Sequence, residues 1–450
     1  EAIMEQLKSH GKWSGKWTFI LAAAGSAVGL GNIWGFPSMA GASGGGAFVL
    51  IYLACILLIG LPIMMAEIVI GRRASSSPVN SMKSAAADSA RSSSWQLIGW
   101  GGLVAGILIL SFYSILAGIC INYIYISAFP NLEISSQAQY EKVLSSPENL
   151  LIFHTIFILL TVAIISLGVK NGIGKFVRIL MPLLGLILIL MVLNSLFSGH
   201  FLEGLKFLFS PDFSKVDSST FLSALGQAFF SLSLGMGAIM TYGAYMSDDQ
   251  KILNTSFSVG GLDTLVALLA GLAIFPIILS VGIEFKDMKV DDGLVFVTLA
   301  DTFKQMLFGQ IFGPLFFILL VIASLSSSIS LLEPSVAYFS EMKILTRTMA
   351  AIIFGSISWF LGIGSALSFN ILQDFTLLGD RSIFASIIFI GNNLLLPLGG
   401  LFVAIFAGWF MKKELIQDQL QLSEVVLNTW YFFIRFVAPI AVGAILITQI

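Results

Sequence analysis

The chain has few charged residues for its length. Lys and Arg number 23 and Asp and Glu 25 among 450 residues, so charged residues make up 11% of the sequence. About a quarter of an ordinary soluble domain is charged, whereas this chain is 57% hydrophobic with a mean hydropathy of +0.95. That composition excludes a soluble globular protein and indicates that lipid is the solvent for most of the chain. The net charge of −2 also argues against a nucleic acid partner.

Cysteine and histidine are scarce as well. The sequence contains two Cys and three His, with no His/Cys cluster that could bind a transition metal. Cys55 and Cys120 both lie in apolar stretches, where a thiol usually acts as a small buried hydrophobic group. The sequence also lacks a nucleophile–base set and a phosphate-binding loop. We therefore predict that the protein is not an enzyme.

Long apolar stretches dominate the sequence instead. Each is about 18 to 30 residues long, enough for a helix to cross a hydrocarbon core of roughly 30 Å. Eleven such stretches lie near residues 17–42, 47–70, 97–128, 150–168, 176–198, 220–246, 259–282, 306–340, 347–366, 383–411 and 430–449. We therefore predict an all-α integral membrane protein with eleven transmembrane helices.

The Lys and Arg residues are distributed unevenly among the connecting segments. With the N-terminus placed inside, 15 of them fall in cytoplasmic segments and 7 in outer loops, and Arg435 begins the last helix. Cytoplasmic loops of membrane proteins are enriched in Lys and Arg. The sequence therefore predicts a multi-pass protein of the cell's inner (plasma) membrane, with the N-terminus in the cytoplasm and the C-terminus outside.

Glycine interrupts two of the apolar stretches at about the same depth. The first contains AGSAVGLGNIWGFP at residues 24–37, and the sixth contains FFSLSLGMGAIMTY at residues 229–242. Glycine also serves close packing of membrane helices, but paired interruptions in two halves of a chain are typical of inverted-repeat transporters. We therefore predict that the first and sixth helices are unwound. We predict a single transporter domain over residues 1–450. Its two inverted five-helix repeats cover approximately residues 14–198 and 220–411, and an extra helix covers residues 430–449.

Unwound backbone at membrane depth needs polar partners. It persists only where it is buried in protein or lines a hydrated cavity. Helix N-termini then present amides to an anion, while carbonyls and helix C-termini face a cation. An amino acid zwitterion together with Na⁺ would satisfy both sets of groups.

Several motifs of the sequence closely resemble those of the neurotransmitter:sodium symporter family. They are WSGKWTFILAAAGSAVGLGNIWGFP, GGGAFVLIYLACILLIGLPIMMAEIVIGRR, FFSLSLGMGAIMTY, LDTLVALLAGLAIFP and ASLSSSISLLEP. The combination of AVGLGN with GGGAF is highly specific, and the resemblance covers nearly the whole chain. Eleven helices are similar to the prokaryotic branch, which includes amino acid transporters. The resemblance implies two inverted five-helix repeats, Na⁺-driven uptake by alternating access and a central substrate site.

The resemblance also implies two sodium sites. The first would use the unwound first helix, a hydroxyl in the sixth helix and a side chain in the seventh, at Ala27, Asn32, Ser231 and Asp263. The second would use Gly25, Val28, Ala323, Ser326 and Ser327. Carbonyl, amide and hydroxyl oxygens suit a hard cation. Without the motif, the run of serines in the eighth helix would be read as ordinary helix-packing residues.

Three carboxylates lie within apolar stretches. A carboxylate within a membrane span is energetically unfavourable and indicates a function. The alternative for Asp263 is a structural ion pair, and the absence of Lys and Arg from the neighbouring stretches argues against it. Some family members bind chloride beside the first sodium, and the fixed charge of Asp263 would replace it, so we predict that chloride is not required. Glu67 resembles a family glutamate that hydrogen-bonds unwound backbone. Glu333 could form a structural hydrogen bond or carry a proton.

The resemblance places the substrate between the two broken helices. The amides of Leu30 and Gly31 and the hydroxyl of Tyr113 would receive its carboxylate. Ser26 and the unwound carbonyls would hold its amino group, and the absence of an aspartate there favours α-amino acids over monoamines. Because the pocket is apolar and includes a methionine, we predict hydrophobic or aromatic substrates, with Phe230 closing the pocket from outside. The predicted substrate-binding residues are Ser26, Ala27, Leu30, Gly31, Ile109, Tyr113, Phe230, Ser231, Ser233, Met236, Ser327 and Leu331.

The gate positions depart from the family pattern. The family usually has an arginine where this sequence has Gly35, and the partner aspartate aligns with Ile388, so both halves of an outer ion pair are missing. Losing both charges together avoids leaving one of them uncompensated. At the inner side, Trp13 and Glu341 match gate positions, and His10 stands where an arginine is common.

The fifth stretch carries Gly172 and Pro182, a spacing that resembles a family motif for local unwinding. A proline removes one helical hydrogen bond, so water could reach the second sodium site from the cytoplasm. A simple helix kink is the alternative.

A second function remains open at this point. A substrate-binding membrane sensor or receptor on the same scaffold would bind its ligand without net transport, and the missing outer ion pair is compatible with it. For the favoured function the partners are a small amino acid and the lipid bilayer, with no nucleic acid, and the sequence leaves the oligomeric state undetermined.

Overall fold

The computed structural model describes Trp13, residues 15–282 and residues 293–449. In chain order, the helices that match the eleven predicted stretches are α1, Lys16–Ala27 and Gly31–Ala42; α2, Gly46–Ala74; α3, Ser93–Ala128; α4, Pro147–Ser166; α5, Val169–Leu196; α6, Ser218–Ser231 and Ala238–Ala244; α7, Ile252–Ser280; α8, Gly309–Glu341; α9, Arg347–Leu367; α10, Ile383–Phe410; and α11, Glu424–Thr448.

Shorter elements connect these helices. An antiparallel hairpin of two strands, β1 (Thr376–Leu378) and β2 (Arg381–Ser382), lies between α9 and α10. The other short helices are Pro78–Asp88, Ser136–Leu144, Phe201–Phe209, Phe213–Lys215, Leu294–Leu299, Ala300–Gln305 and Lys413–Leu420.

The number of membrane spans agrees with the sequence except at α6. Within the described residues, nine helices are long and apolar enough to cross a membrane, and the two parts of α1 make a tenth when taken as one span. The two parts of α6 contain 14 and 7 residues and are individually too short. The mostly helical, multi-pass architecture is therefore confirmed, and the β1–β2 hairpin is a small departure from the predicted all-α chain. The count of eleven, the limits of the repeats and the orientation in the membrane stay predictions. Following that orientation, the end of the bundle where α1 begins is called the inner end, and the end where its second part stops is called the outer end.

The break in α1 falls where the sequence predicts it. Val28 leaves the helical conformation at φ −73° and ψ 101°, and the chain resumes as a π-helical turn at Gly31–Gly35. The two parts of α1 are bent by 56°. The side chain of Asn32 accepts a hydrogen bond from the Gly29 N–H at 3.1 Å. A side chain thus replaces one backbone partner lost at the break.

The break in α6 depends on left-handed backbone. Ser233, Gly235 and Gly237 have φ values of 55°, 81° and 74°, a conformation that glycine adopts without strain. A Cβ atom on Gly235 would also lie 2.1 Å from the Leu396 carbonyl oxygen of α10. Unwinding and close packing, the two interpretations of glycine in this segment, therefore both apply to Gly235.

The broken helices lie in the interior of the bundle. The first part of α1 packs against α5, α7 and α8, and the second part of α6 packs against α2. At Gly71 of α2, an added Cβ atom would lie 1.9 Å from the Met240 carbonyl oxygen. The long helices α3 and α8 lie along each other and form the most extensive helix contact in the described chain. These helices hold the unwound segments between them.

A capping box fixes the outer start of α6. The carboxylate of Asp217 accepts hydrogen bonds from the Thr220 N–H at 2.8 Å and from the Ser219 hydroxyl at 2.6 Å. The Ser219 hydroxyl, followed by Thr220, lowers the pKa of Asp217 to about 2. The Asp217 carboxylate therefore stays ionised at any ordinary pH, and its negative charge stabilises the positive N-terminal end of the helix dipole.

Candidate substrate and ion site

A buried carboxylate of α7 contacts side chains of three other helices, α1, α2 and α6, beside the break in α1. Asp263 of α7 is fully buried, and its Oδ1 accepts hydrogen bonds from Asn32 Nδ2 and Ser231 Oγ, both at 2.7 Å. Its Oδ2 accepts from the Tyr52 hydroxyl at 2.9 Å. None of the salt bridges found among the described residues involves Asp263. The Asp263 carboxylate is therefore hydrogen-bonded by neutral donors, and a bound cation could neutralise its charge.

The donor set of this first cluster suits an alkali cation. It combines the Asp263 carboxylate and backbone carbonyl with the Ser231 and Tyr52 hydroxyls, and hard cations prefer such oxygen ligands. The Asn32 carboxamide presents its nitrogen to Asp263 and its oxygen to the Gly29 N–H. No group of three or more His, Cys, Asp or Glu side chains with metal-binding geometry occurs in the described part of the chain. The structure thus brings together Asn32, Ser231 and Asp263, three of the four residues predicted for the first sodium site, while the fourth, Ala27, lines the small cavity.

Tyr52 belongs to the same cluster, although the sequence interpretation missed it. Its hydroxyl lies 2.9 Å from Asp263 Oδ2 and 3.3 Å from Ser231 Oγ. A fully buried tyrosine usually finds a hydrogen-bond partner for its hydroxyl. That tendency could have marked Tyr52 in the apolar second stretch, but it does not identify the partner.

A second polar cluster lies on the other side of the α1 break. Ser326 Oγ and Ser327 Oγ of α8 lie 3.5 Å and 3.4 Å from the Val28 carbonyl oxygen. Ser326 Oγ also donates to the Ala323 carbonyl at 2.8 Å. The ideal Cβ position of Gly25 lies 3.3 Å from the Ser326 Cβ. All five residues predicted for the second sodium site therefore converge on one place.

The fifth helix packs against this second cluster. Met181 Sδ lies 3.0 Å from the ideal Cβ position of Gly25, and Pro182 follows directly. Gly172 lies in a π-helical turn at Val169–Ile173, and the helix continues without a break from Gly174 past Pro182. The segment between the two residues of the predicted unwinding motif is thus helical in this conformation.

A small cavity of about 20 Å³ lies between the two clusters. Its wall contains every predicted substrate-binding residue except Leu30 and Ser231, and it adds Gly29 and Ser330. The side chain of Leu30 lines a separate cavity nearer the outer end, and Ser231 belongs to the first cluster. The side chains predicted to bind the substrate are otherwise brought together as expected.

Polar groups of the α1 break line the small cavity. The Tyr113 hydroxyl accepts from the Leu30 N–H at 3.4 Å, and the Ser26 carbonyl accepts from Ser233 Oγ at 2.8 Å. A Cβ atom on Gly29 would lie 2.6 Å from Ser327 Oγ. Only glycine therefore allows α3 and α8 to approach the backbone this closely. The result is a cavity with polar backbone on one side and the apolar Ile109, Met236 and Leu331 among its other walls.

The outer cavity is larger, at about 360 Å³. Phe230 lines both cavities, as do Gly31 and Tyr113, and its predicted role in closing the pocket from outside stays a prediction. Gly35 and Ile388, the two positions from which the ion pair is missing, both line this outer cavity. The alignment of Ile388 with the missing aspartate is therefore consistent with the structure.

The inner end is closed by aromatic packing around Trp13. The Trp13 indole Nε1 donates to the Tyr242 carbonyl at 3.1 Å, and its backbone N–H donates to the Tyr245 carbonyl at 3.1 Å. The indole also makes edge contacts with both tyrosine rings. Glu341 Oε2 accepts from the Ser77 N–H at 2.8 Å. His10 lies outside the described residues.

The other two carboxylates predicted within apolar stretches have structural partners. Glu67 Oε1 accepts from the Gly235 N–H at 2.8 Å, directly at the α6 break. Glu333 accepts from Arg347 Nη2 at 2.5 Å and from the Tyr245 hydroxyl at 2.8 Å. The structure thus places both carboxylates in hydrogen-bonded positions. The partner Arg347 was missed because it is the first residue of the ninth stretch and of α9, where it was counted with the positive charges of a cytoplasmic segment.

Comparison with known proteins agrees with these features. The model of the sodium:neurotransmitter symporter family matches residues 10–143 and 140–450. A sodium-dependent transporter of Bacillus subtilis (strain 168) is 36% identical over 439 residues, which cover 96% of both chains. A second sodium-dependent transporter, from Haemophilus influenzae (strain ATCC 51907 / DSM 11121 / KW20 / Rd), is 32% identical over 458 residues, covering 98% of this chain and 99% of the relative.

A solved structure is similar along the same length. The crystal structure of MhsT in complex with L-phenylalanine superposes with a TM-score of 0.88 at 42% sequence identity. The match covers 98% of this chain and 100% of the MhsT chain.

Proposed function

Because the chain belongs to the sodium:neurotransmitter symporter family, whose members are transporters rather than enzymes, we propose that it carries hydrophobic or aromatic α-amino acids into the cell together with two Na⁺. The observation that carries this proposal is the convergence of Asp263, Asn32 and Ser231 beside the α1 break, next to a cavity lined by unwound backbone. Transport proceeds by alternating access, in the inner (plasma) membrane with the N-terminus in the cytoplasm.

The polar wall of the central cavity fits the zwitterionic part of an amino acid. The amides at the start of the second part of α1 and the Tyr113 hydroxyl receive the carboxylate, and the Ser26 and Ala27 carbonyls hold the ammonium group. No Asp or Glu is among the described residues that line this cavity. The substrate carboxylate therefore meets no fixed negative charge inside the cavity, and the first Na⁺ lies at the edge of the cavity.

The apolar wall supports a bulky side chain. Ile109, Met236 and Leu331 form that wall, with Phe230 above it. The cavity is too small for an aromatic ring in this conformation, but Met236 has three rotatable side-chain bonds and adapts to different shapes. The L-phenylalanine bound to MhsT supports an aromatic substrate for this chain.

A binding experiment tests the substrate class. Purified protein should bind radiolabelled L-phenylalanine only with Na⁺, and unlabelled leucine, isoleucine, tryptophan and tyrosine should displace it. Aspartate, lysine and a monoamine without a carboxylate should displace the radiolabel at least a hundredfold less well. The cavity wall offers no partner for the charged side chain of aspartate or lysine, and the monoamine would leave the backbone amides without a hydrogen-bond acceptor. Equal displacement by the monoamine would overturn the assignment of the carboxylate site.

The inner and outer ends suggest how access alternates. The outer cavity reaches down to Phe230, while Trp13 and its partners on α6 close the inner end. Release to the cytoplasm requires that Trp13 leave the Tyr242 carbonyl and that α5 loosen over the second cluster. Pro182 lowers the barrier to that loosening, because its ring cannot donate the helical hydrogen bond.

Replacing chloride should leave binding and uptake unchanged. The fixed negative charge of Asp263 balances the first Na⁺ in place of a bound anion, so chloride is not required. Activity in sodium gluconate should stay within a factor of two of that in sodium chloride, measured at equal Na⁺ and ionic strength. A collapse of activity in gluconate would contradict this account of Asp263.

Removing the Tyr52 hydroxyl should weaken Na⁺ binding about tenfold. Tyr52→Phe keeps the ring but removes the donor to Asp263 Oδ2. A hydrogen bond to a charged group contributes about 1.5–3 kcal/mol, and part of this is recovered as the neighbouring donors rearrange. The half-saturating Na⁺ concentration for substrate binding measures the effect. Tyr125→Phe, at an exposed position of α3, is the matched control and should leave it unchanged; an unchanged value for Tyr52→Phe would remove Tyr52 from the site.

A further inference from the structure

The described wall of the outer cavity offers no acidic or basic side chain for an ion pair. Its described lining residues include no Asp, Glu, Lys or Arg, and Gly35 and Ile388 occupy the positions of the missing pair. The polar side chains in the wall include three carboxamides, those of Gln227, Asn392 and Asn393. Any polar closure by these walls must therefore be uncharged.

Gln227 already holds the unwound part of α1. Its Nε2 donates to the Gly31 carbonyl oxygen at 2.7 Å, and the side chain is almost completely buried. Its Oε1 lies 3.2 Å from the ideal Cβ position of Gly35, so the carboxamide occupies the space beside that glycine. A carboxamide nitrogen carries two hydrogens, and the Gly31 carbonyl is the single acceptor assigned to Nε2 among the described residues.

Asn392 offers the complementary group on α10. Its Oδ1 is buried and accepts no hydrogen bond from any described residue. Asn392 lies in a π-helical segment, Phe389–Leu395, across the cavity from the π-helical turn Gly31–Gly35. Such segments are frequent at functional sites. A buried acceptor without a donor is unfavourable, and closure of the cavity relieves it if a donor approaches.

We propose that Gln227 and Asn392 form a neutral amide latch that closes the outer end over Phe230 in place of an ion pair. The second N–H of Gln227 Nε2 donates to Asn392 Oδ1 when α10 approaches α6. Gly31 couples the latch to the substrate, because its N–H faces the carboxylate while its carbonyl accepts from Gln227. Gln227 and Asn392 are thus positioning residues, and closure is independent of ionic strength and pH. This inference rests on the proposed function, since the latch retains a bound amino acid.

Cross-linking tests whether the two residues meet. In a Cys55→Ala/Cys120→Ala background, Gln227→Cys/Asn392→Cys should lose Na⁺-dependent amino acid uptake when micromolar Cd²⁺ is added with Na⁺ and substrate, and EDTA should restore it. Each single cysteine should be at least tenfold less sensitive to Cd²⁺. Gln227→Cys/Leu394→Cys is the matched control, because Leu394 lies in the same helical segment as Asn392 but does not line the outer cavity. Equal sensitivity of the control pair, or no sensitivity of the test pair, would overturn the latch.

The rate of substrate release provides a test without cysteine. Gln227→Ala and Asn392→Ala should each speed the dissociation of bound amino acid about tenfold, and the double variant should release it no faster than either single variant. Additive effects would mean that the two side chains do not act together, and unchanged rates would exclude the latch. The background protein is measured alongside. If it neither binds nor takes up an amino acid with Na⁺, the proposed function fails, whereas normal uptake with additive effects removes only the latch.

Discussion

Asp263→Asn should raise the half-saturating Na⁺ concentration for substrate binding at least a hundredfold in chloride-free buffer. The substitution keeps the shape of the side chain but removes the charge that faces the first Na⁺. Two unit charges 4 Å apart interact by about 4 kcal/mol at an effective dielectric constant of 20, and 1.4 kcal/mol corresponds to a tenfold change in affinity. Chloride should restore part of the lost affinity in this variant, because an anion can occupy the space beside the cation.

The control for this substitution is Asp380→Asn. Asp380 is exposed between β1 and β2, and its replacement should leave the Na⁺ dependence unchanged. An Asp263→Asn protein that binds substrate with wild-type Na⁺ dependence would refute the first sodium site. A loss of affinity that chloride does not relieve would preserve the sodium site but reject the idea that Asp263 stands in for chloride.

Gly31→Leu should abolish Na⁺-dependent amino acid binding while the protein remains folded. The new side chain would start 3.1 Å from the Phe230 ring and 3.4 Å from Gln227 Nε2, and would extend into the space between the two cavities. It would also favour continued helix where the chain must bend. Size-exclusion chromatography of the purified protein should give one symmetrical peak, and equilibrium binding should fall at least a hundredfold.

Two further variants make the Gly31 result interpretable. Gly261→Leu adds the same side chain on α7, where a Cβ atom would meet nothing within 4 Å, and it should bind normally. Gly31→Ala adds only the Cβ atom and should weaken binding about tenfold, because the Phe230 ring must shift by a few tenths of an ångström. If Gly31→Leu folds and binds like the wild type, the unwound segment is not the substrate ligand.

The breaks in α1 and α6 could be predicted from the sequence because their causes are local. Several glycines within one span weaken the helix, and their positive φ values at Gly235 and Gly237 are a property of the residue itself. The convergence of Asn32, Ser231 and Asp263 was predicted through the family resemblance. Hydropathy alone places these residues in three spans without saying that they face one another.

The residues that sequence reasoning missed depend on contacts between distant helices. Tyr52 reaches Asp263 from 211 positions away, and which side of α2 faces α7 is not encoded in a uniformly apolar stretch. Arg347 lies at the start of α9, where positive charge is ordinary, and its contact with Glu333 depends on how α8 and α9 pack. Met181 covers the second cluster because α5 lies against α1. In each case the residue type is ordinary, and the neighbours that set it apart come together only in the folded chain.

Accumulation of amino acid in proteoliposomes tests the central claim most directly. The purified protein is reconstituted with equal radiolabelled L-phenylalanine on both sides, and an inward Na⁺ gradient is then imposed. The account predicts that the inside concentration rises above the outside concentration, that gramicidin abolishes the rise by dissipating the gradient, and that an inward choline gradient produces none. Na⁺-dependent binding without any accumulation would contradict the claim and would leave a substrate sensor on the same scaffold as the function.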